Sequence, residues 1–271
     1  MPNGTVTIDR EGAIAIVTLR RPEKRNALNE ALWSGMREAA STLSKALPRA
    51  VIVTGEDPAF CAGMDLGPDN PQMGGLASAA QSRDPGPMRE LLEGLRPSID
   101  ALVSLEVPVI AAINGLAFGG GAELAVRCDL RVMNRDAELC FSEVRLGLMP
   151  DMGGGVALTR LVGPAVAADL ILTARRVRGD EALRLGVVNR VAEPGATLEA
   201  ARELAKAIAA NGPRAVRASL DVIRRTPDLT EEAALELERE RAAHLMASGE
   251  CLHGVTALMT RSEPKFPDPE E

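Results

Sequence analysis

The sequence predicts an α/β fold, and three observations carry that expectation. Short β-branched or apolar runs alternate with longer amphipathic stretches through the first half of the chain, the pattern of strands interleaved with helices. Helical periodicity dominates from Gly153 onward. The 271 residues, 46% hydrophobic and 25% charged, are enough for one sizeable core.

The elements follow in order. Thr5–Ile8 and Ala13–Leu19 flank the turn signal Arg10-Glu11-Gly12 and read as an antiparallel hairpin. Arg21, Lys24 and Arg25 make the next loop basic, and Asn29 is placed to cap a helix from Glu30 to about Leu47. Ala50–Thr54 reads as a buried strand, and the Gly-, Pro-, Ser- and Asp-rich stretch from Gly67 to Pro87 as a mobile surface loop. A helix from Met88 to Leu105, a strand at Pro108–Ile113 and a helix at Ala122–Arg127 come next. Leu130–Met133 and Glu138–Phe141 are strand-like. In the last third, Val187–Val191 reads as a strand, and Glu199–Ala210, Pro213–Arg225 and Glu231–Ser248 as amphipathic helices.

Composition removes several function classes. A net charge of −7 and five aromatic-ring residues of the Phe/Trp type, with no Tyr, give neither attraction to a phosphate backbone nor a base-stacking platform. No nucleic acid partner is expected. Cys61, Cys128, Cys140 and Cys251 are far apart, and the two histidines, His244 and His253, lie near the C-terminus, so no metal site is expected. Reduced thiols, the absence of a leader pattern and the absence of an uninterrupted apolar run of spanning length point to a cytoplasmic protein with no membrane partner.

The chemistry is sought in carboxylates, because no histidine lies near a glycine loop and the sequence has no G-x-S-x-G, H-E-x-x-H or phosphate-loop lysine. Gly119-Gly120-Gly121 falls between a strand and a helix. Glycine lets backbone approach a ligand, and a helix start leaves polarised N–H groups free, which together suit a partly negative oxygen. A tight packing turn would use the same residues. Glu123, three positions after Gly120, can face the same ligand or simply interact with the helix dipole. Glu143 lies between apolar runs, where its pKa would rise as a proton shuttle requires, unless it is a solvated loop carboxylate. Phe60–Asp65 combines small residues with an acid whose side chain can fix a turn.

Together these segments resemble the crotonase (enoyl-CoA hydratase/isomerase) superfamily. The resemblance rests on Pro22–Asn29, Phe60–Leu66, Asn114–Asp129, Glu143–Pro150 and Gly179–Val188, which fall in order over nearly the whole chain. It implies a crotonase-type spiral of ββα units over residues 1–195 and a C-terminal helical oligomerisation region over 196–271, assembled as a homotrimer or a dimer of trimers. It also implies an acyl-CoA thioester substrate and no separate cofactor. In the family pattern the backbone N–H groups at Met64 and Gly120 form the oxyanion hole. The adenine meets main chain near Ala62, and the phosphates meet Lys24 and Arg25. Ala27, Asp65, Leu66 and Gly119 flank these positions and complete the expected binding set, with Lys265 and Phe266 as a C-terminal pair approaching the nucleotide.

The resemblance also implies a reaction. Hydratases of the family carry glutamates at the positions of Glu123 and Glu143, and both are present here. The expected activity is addition of water to a trans-2-enoyl-CoA. Asp151 departs from the small residue found there in many hydratases and resembles the dienoyl-CoA isomerases, although those usually carry Asp at position 123. Asp151 has a structural alternative as N-cap of a helix starting near Gly153. Isomerisation of a dienoyl- or enoyl-CoA by Glu143 and Asp151 is therefore the second expectation, and a non-catalytic acyl-CoA-binding protein the third.

Overall fold

The computed structural model describes residues 4–268. The hairpin forms as β1 (Thr5–Glu11) and β2 (Ile14–Arg20), antiparallel in the register Thr5↔Arg20 to Glu11↔Ile14. Helix α1 (Glu30–Lys45) starts at Asn29, whose side chain accepts from Leu32 N–H. Then come β3 (Ala50–Gly55), β4 (Ala59–Cys61), α2 (Pro71–Ser82), α3 (Gly86–Val103), β5 (Val109–Ile113), β6 (Leu116–Phe118) and α4 (Gly120–Arg127). β7 (Leu130–Asn134), β8 (Glu138–Cys140) and α5 (Gly154–Thr173) follow, then β9 (Val177–Arg178), α6 (Gly179–Arg184) and β10 (Arg190–Ala192). The chain closes with α7 (Thr197–Ala209), α8 (Pro213–Arg225), α9 (Glu231–Ala247) and α10 (Glu250–Thr260).

Two sheets result, ordered β1-β2-β3-β5-β7-β10 and β4-β6-β8-β9. β3–β4, β5–β6 and β7–β8 each place one strand in the large sheet and the next in the small one before the chain turns helical. That is a spiral of ββα turns, and its neighbouring strands are parallel, apart from the β1–β2 and β8–β9 pairs. Side-chain alternation gives the large sheet two buried faces. Val51, Val53, Val109 and Ala111 face a cluster with Leu32, Trp33 and Met36 of α1, whereas Ile52, Ile110, Ala112 and Val132 face Ala201, Leu204 and Ala205 of α7. The region 196–271 thus begins with a helix that closes the second face of the sheet, and α8 to α10 lie beyond it.

Two expectations change, and helices α10 and α5 add features of their own. The segment 67–87 is not a loop throughout: it folds into α2, because Asn70 accepts from Gln72 N–H and Pro71 occupies the first helical turn. The late strand is Arg190–Ala192, paired with Val132–Asn134, while Val187 and Val188 are buried in a turn. Helix α10 was not anticipated; Gly249 enters it in the left-handed region. Helix α5 is long and apolar enough by composition to cross a membrane, with a mean hydropathy of 1.6 over its most apolar window. Gly163, at φ 80° and ψ 164°, and Pro164 break it. Each half is about 15 Å or less, against a hydrocarbon core of about 30 Å.

Asn26 fastens the basic loop to the turn between β3 and β4. It is fully buried in the left-handed region, with φ at 56°. Its amide donates to Glu56 O at 2.7 Å and Ala59 O at 2.8 Å, and its oxygen accepts from Arg21 N–H at 2.8 Å. Asn26→Ala leaves those groups unpaired, and the expected loss is about 2–3 kcal/mol in urea denaturation, with an unchanged m-value.

Candidate active site

A single parallel bridge, Leu28↔Met64, joins the basic loop to the chain beyond β4. Leu28 N–H donates to Gly63 O at 2.7 Å, and Asp65 N–H donates to Leu28 O at 2.9 Å. Both bonds flank Met64, so its own N–H points away from Leu28. Gly63 and Gly120 lie against one another: a Cβ on Gly63 would stand 3.2 Å from Gly120 N. The structure thus brings the two expected N–H donors to one place, with Gly120 opening α4. Gly119 turns the chain into that helix at φ 50°, a conformation that L side chains rarely adopt. A Cβ there would lie 3.6 Å from Glu143 Oε1.

Asp65 does not point its charge at a ligand. Its Oδ1 accepts from Gly67 N–H at 2.9 Å and its Oδ2 pairs with Arg21 Nη1 at 2.7 Å. Burial acts to raise its pKa, but the Gly67 N–H and the Arg21 guanidinium outweigh burial and hold it below the ordinary value. Arg21 also donates to Ala27 O. Arg21 and Asn26 therefore set the loop geometry, a role that no local pattern reveals because Asp65, Glu56 and Ala59, their partners, lie far along the chain. Ala62 N–H donates to Arg25 O at 3.0 Å, which places Ala62 beside the exposed Lys24 and Arg25. Lys265 and Phe266 are not brought to this cluster within the chain. Phe266 packs edge-on against His253, and its carbonyl accepts from Arg49 at the opposite end of β3.

Glu123 is 1% exposed. It does not cap its own helix. Its Oε2 accepts from Met152 N–H at 2.9 Å and Gly154 N–H at 2.8 Å, and its Oε1 accepts from Asp151 N–H at 3.3 Å. The start of α5 thus holds the carboxyl. This needs Gly154, where a Cβ would stand 2.3 Å from Glu123 Cγ. Asp151 is no cap either, because Gly153 occupies that position without a side-chain bond. Glu143 opens a short 3-10 turn and is buried, with neither carboxyl oxygen bonded among the described residues.

Glu123, Glu143 and Asp151 line one cavity of about 90 Å³ with Gly119, Gly120, Met64, Ala62, Leu66 and Trp33. Burial pushes Glu123 up to about 8, with the charges of Glu143 and Asp151 adding and the Gly154 and Met152 N–H groups opposing. Burial also raises Glu143, and the partial desolvation of Asp151, a residue exposed on its other side, raises that carboxyl too. The neighbouring negative charges act in the same direction as burial and disfavour ionisation of all three carboxyls together. A raised carboxyl pKa stabilises the fold below the unfolded value of 4.5 and loses that contribution as pH rises through about 8. Denaturation midpoints should therefore fall between about pH 5 and 8 in the native chain, and fall less in Glu123→Gln.

The family model for enoyl-CoA hydratase/isomerase matches residues 9–269. A short-chain-enoyl-CoA hydratase of Clostridium acetobutylicum is 37% identical over 93% of this chain and 90% of its own length. A carnitinyl-CoA dehydratase of Salmonella arizonae is 34% identical over 97% of this chain and 98% of its own. The crystal structure of an enoyl-CoA hydratase from Polaromonas sp. JS666 superposes with a TM-score of 0.88 at 30% identity, covering 97% of this chain and all of that one. Matches of this extent, at this identity and over the whole spiral, show that the chain belongs to the enoyl-CoA hydratase/isomerase family.

Proposed function

We propose that this enzyme adds water across the double bond of a trans-2-enoyl-CoA. The observation that carries the proposal is the buried Glu123/Glu143 pair in a cavity that Met64 and Gly120 also line. The N–H groups of Met64 and Gly120 take the thioester oxygen, and each such donor is worth roughly 10²–10³ in rate. One water sits between the carboxyls. The ionised carboxyl takes its proton as the water oxygen bonds to C3. Negative charge moves onto the thioester oxygen, and Glu143 delivers a proton to C2. Water is consumed, a 3-hydroxyacyl-CoA forms, and the pair ends with one proton as it began. Coenzyme A belongs to the substrate, so no further cofactor is invoked, and Lys24 and Arg25 supply a local basic patch for its phosphates. The curated relatives named above are a hydratase and a dehydratase, which favours water chemistry.

Exposed apolar side chains on the later helices, among them Leu172, Ile223 and Leu258, suit the burial expected of a homotrimer or a dimer of trimers. The isomerase reading keeps one observation in its favour: Asp151 faces the cavity and caps nothing. Stopped assays with crotonyl-CoA test the two. Hydration is expected, with Glu143→Gln losing about 10²–10⁴ in kcat. Conversion of a 3,5-dienoyl-CoA without water uptake, lost in Asp151→Asn, would replace the hydratase reading.

A further inference from the structure

Leu66, Leu146, Leu148 and Met149 stand exposed in the wall of the cavity that Glu123 and Glu143 line. Leu146 is 56% exposed and Met149 69%. One exposed leucine needs no explanation, but a group of apolar side chains around one opening does. The 3-10 turn that carries Glu143 ends at Gly147, in the left-handed region at φ 73°, and Leu146, Leu148 and Met149 lie on either side of that reversal. The segment that buries the acid therefore also leaves three apolar side chains open to solvent.

The apolar surface does not end at the cavity. Met149 and Asp151 also line a wider groove beside it, where Val156 and Leu161 of α5 and Ile223 of α8 are exposed. Arginines line this groove as well, but Arg127 is paired with Asp100, Arg160 with Asp228 and Arg224 with Asp129. With those charges met inside the chain, the groove suits an uncharged occupant better than an anion. Apolar surface that continues from a reacting centre onto an adjoining groove fits a hydrocarbon chain attached to the reacting group. The nucleotide end of the substrate is assigned above to Lys24 and Arg25, which leaves the tail to this wall.

Resting on the acyl-CoA site proposed above, we propose that the acyl tail leaves the catalytic cavity over Met149 and lies against Val156 in the groove. These two side chains then make medium-chain 2-enoyl-CoA thioesters better substrates than crotonyl-CoA. A methylene fully removed from water gains about fourfold in affinity, and one covered on a half-open surface about twofold.

The test compares crotonyl-, trans-2-hexenoyl- and trans-2-decenoyl-CoA in hydration, and butyryl- and decanoyl-CoA in calorimetric binding. In the native enzyme kcat/KM is expected to rise by about tenfold or more from crotonyl to decenoyl, chiefly through a lower KM. Met149→Glu sets a charge under the tail and should bring that ratio close to one, whereas Met149→Leu should keep it. Val156 lies in the first turn of α5, where a glutamate is tolerated, and Val156→Glu should lower the decenoyl value more than the hexenoyl one. Each ratio is taken within one preparation and is independent of any folded fraction lost. A native profile that is flat or falls with chain length, or glutamate variants that keep the native ratio, would overturn the proposal. Glutamate variants that change the assembly mass in light scattering and keep the ratio would give this face to a second copy of the chain, and the proposal would fail. Tail-dependent binding that Met149→Glu abolishes, without hydration of any substrate, would uphold the tail path and remove the hydratase reading.

Discussion

The carboxyl of Glu123 set into the start of α5 is the contact on which the site depends. It joins α4, which carries the Gly120 donor, to the chain that leaves Glu143, and it does so with backbone N–H groups rather than mobile side chains. Helix α5 has no capping side chain of its own, so the glutamate supplies across space what an N-cap supplies locally. The same carboxyl is thereby held at a fixed angle, with Oε2 accepting from two backbone N–H groups and Oε1 from a third, at Asp151. If Glu123 acts as proposed, structure and chemistry use one group, and neither use can be altered alone.

Electrostatics inside the cavity oppose those of the chain as a whole. The protein is acidic, yet the acids that matter resist ionisation because burial removes their hydration. Asp65 shows the contrary case nearby. It is also partly shielded, but Arg21 and a backbone N–H keep it charged, and it serves to shape the loop. The difference between these carboxyls is one of neighbours rather than residue type.

Much of this was legible in the residues, and the rest was hidden for identifiable reasons. Glycines 119–121 signalled a close approach of backbone, which the structure shows against Cys61 and Gly63, and the hairpin and the Asn29 cap followed their local patterns. Glu123 could be placed on the first turn of a helix, but its partners are about thirty positions on and no local rule connects them. Asp151 looked like a cap because it precedes a helix, whereas the glutamate from α4 had already taken the N–H groups. The stretch holding α2 read as a loop because its glycines and prolines outweighed one Asn-Pro start signal.

Asn26 has a consequence for binding. It holds the basic loop in a left-handed turn against carbonyls of the following strand pair before any ligand arrives. Most of the entropy of ordering that loop is therefore lost during folding and not during association. A nucleotide bound as proposed, against Lys24 and Arg25, would meet a backbone already in its final shape, with only the two exposed side chains left to settle.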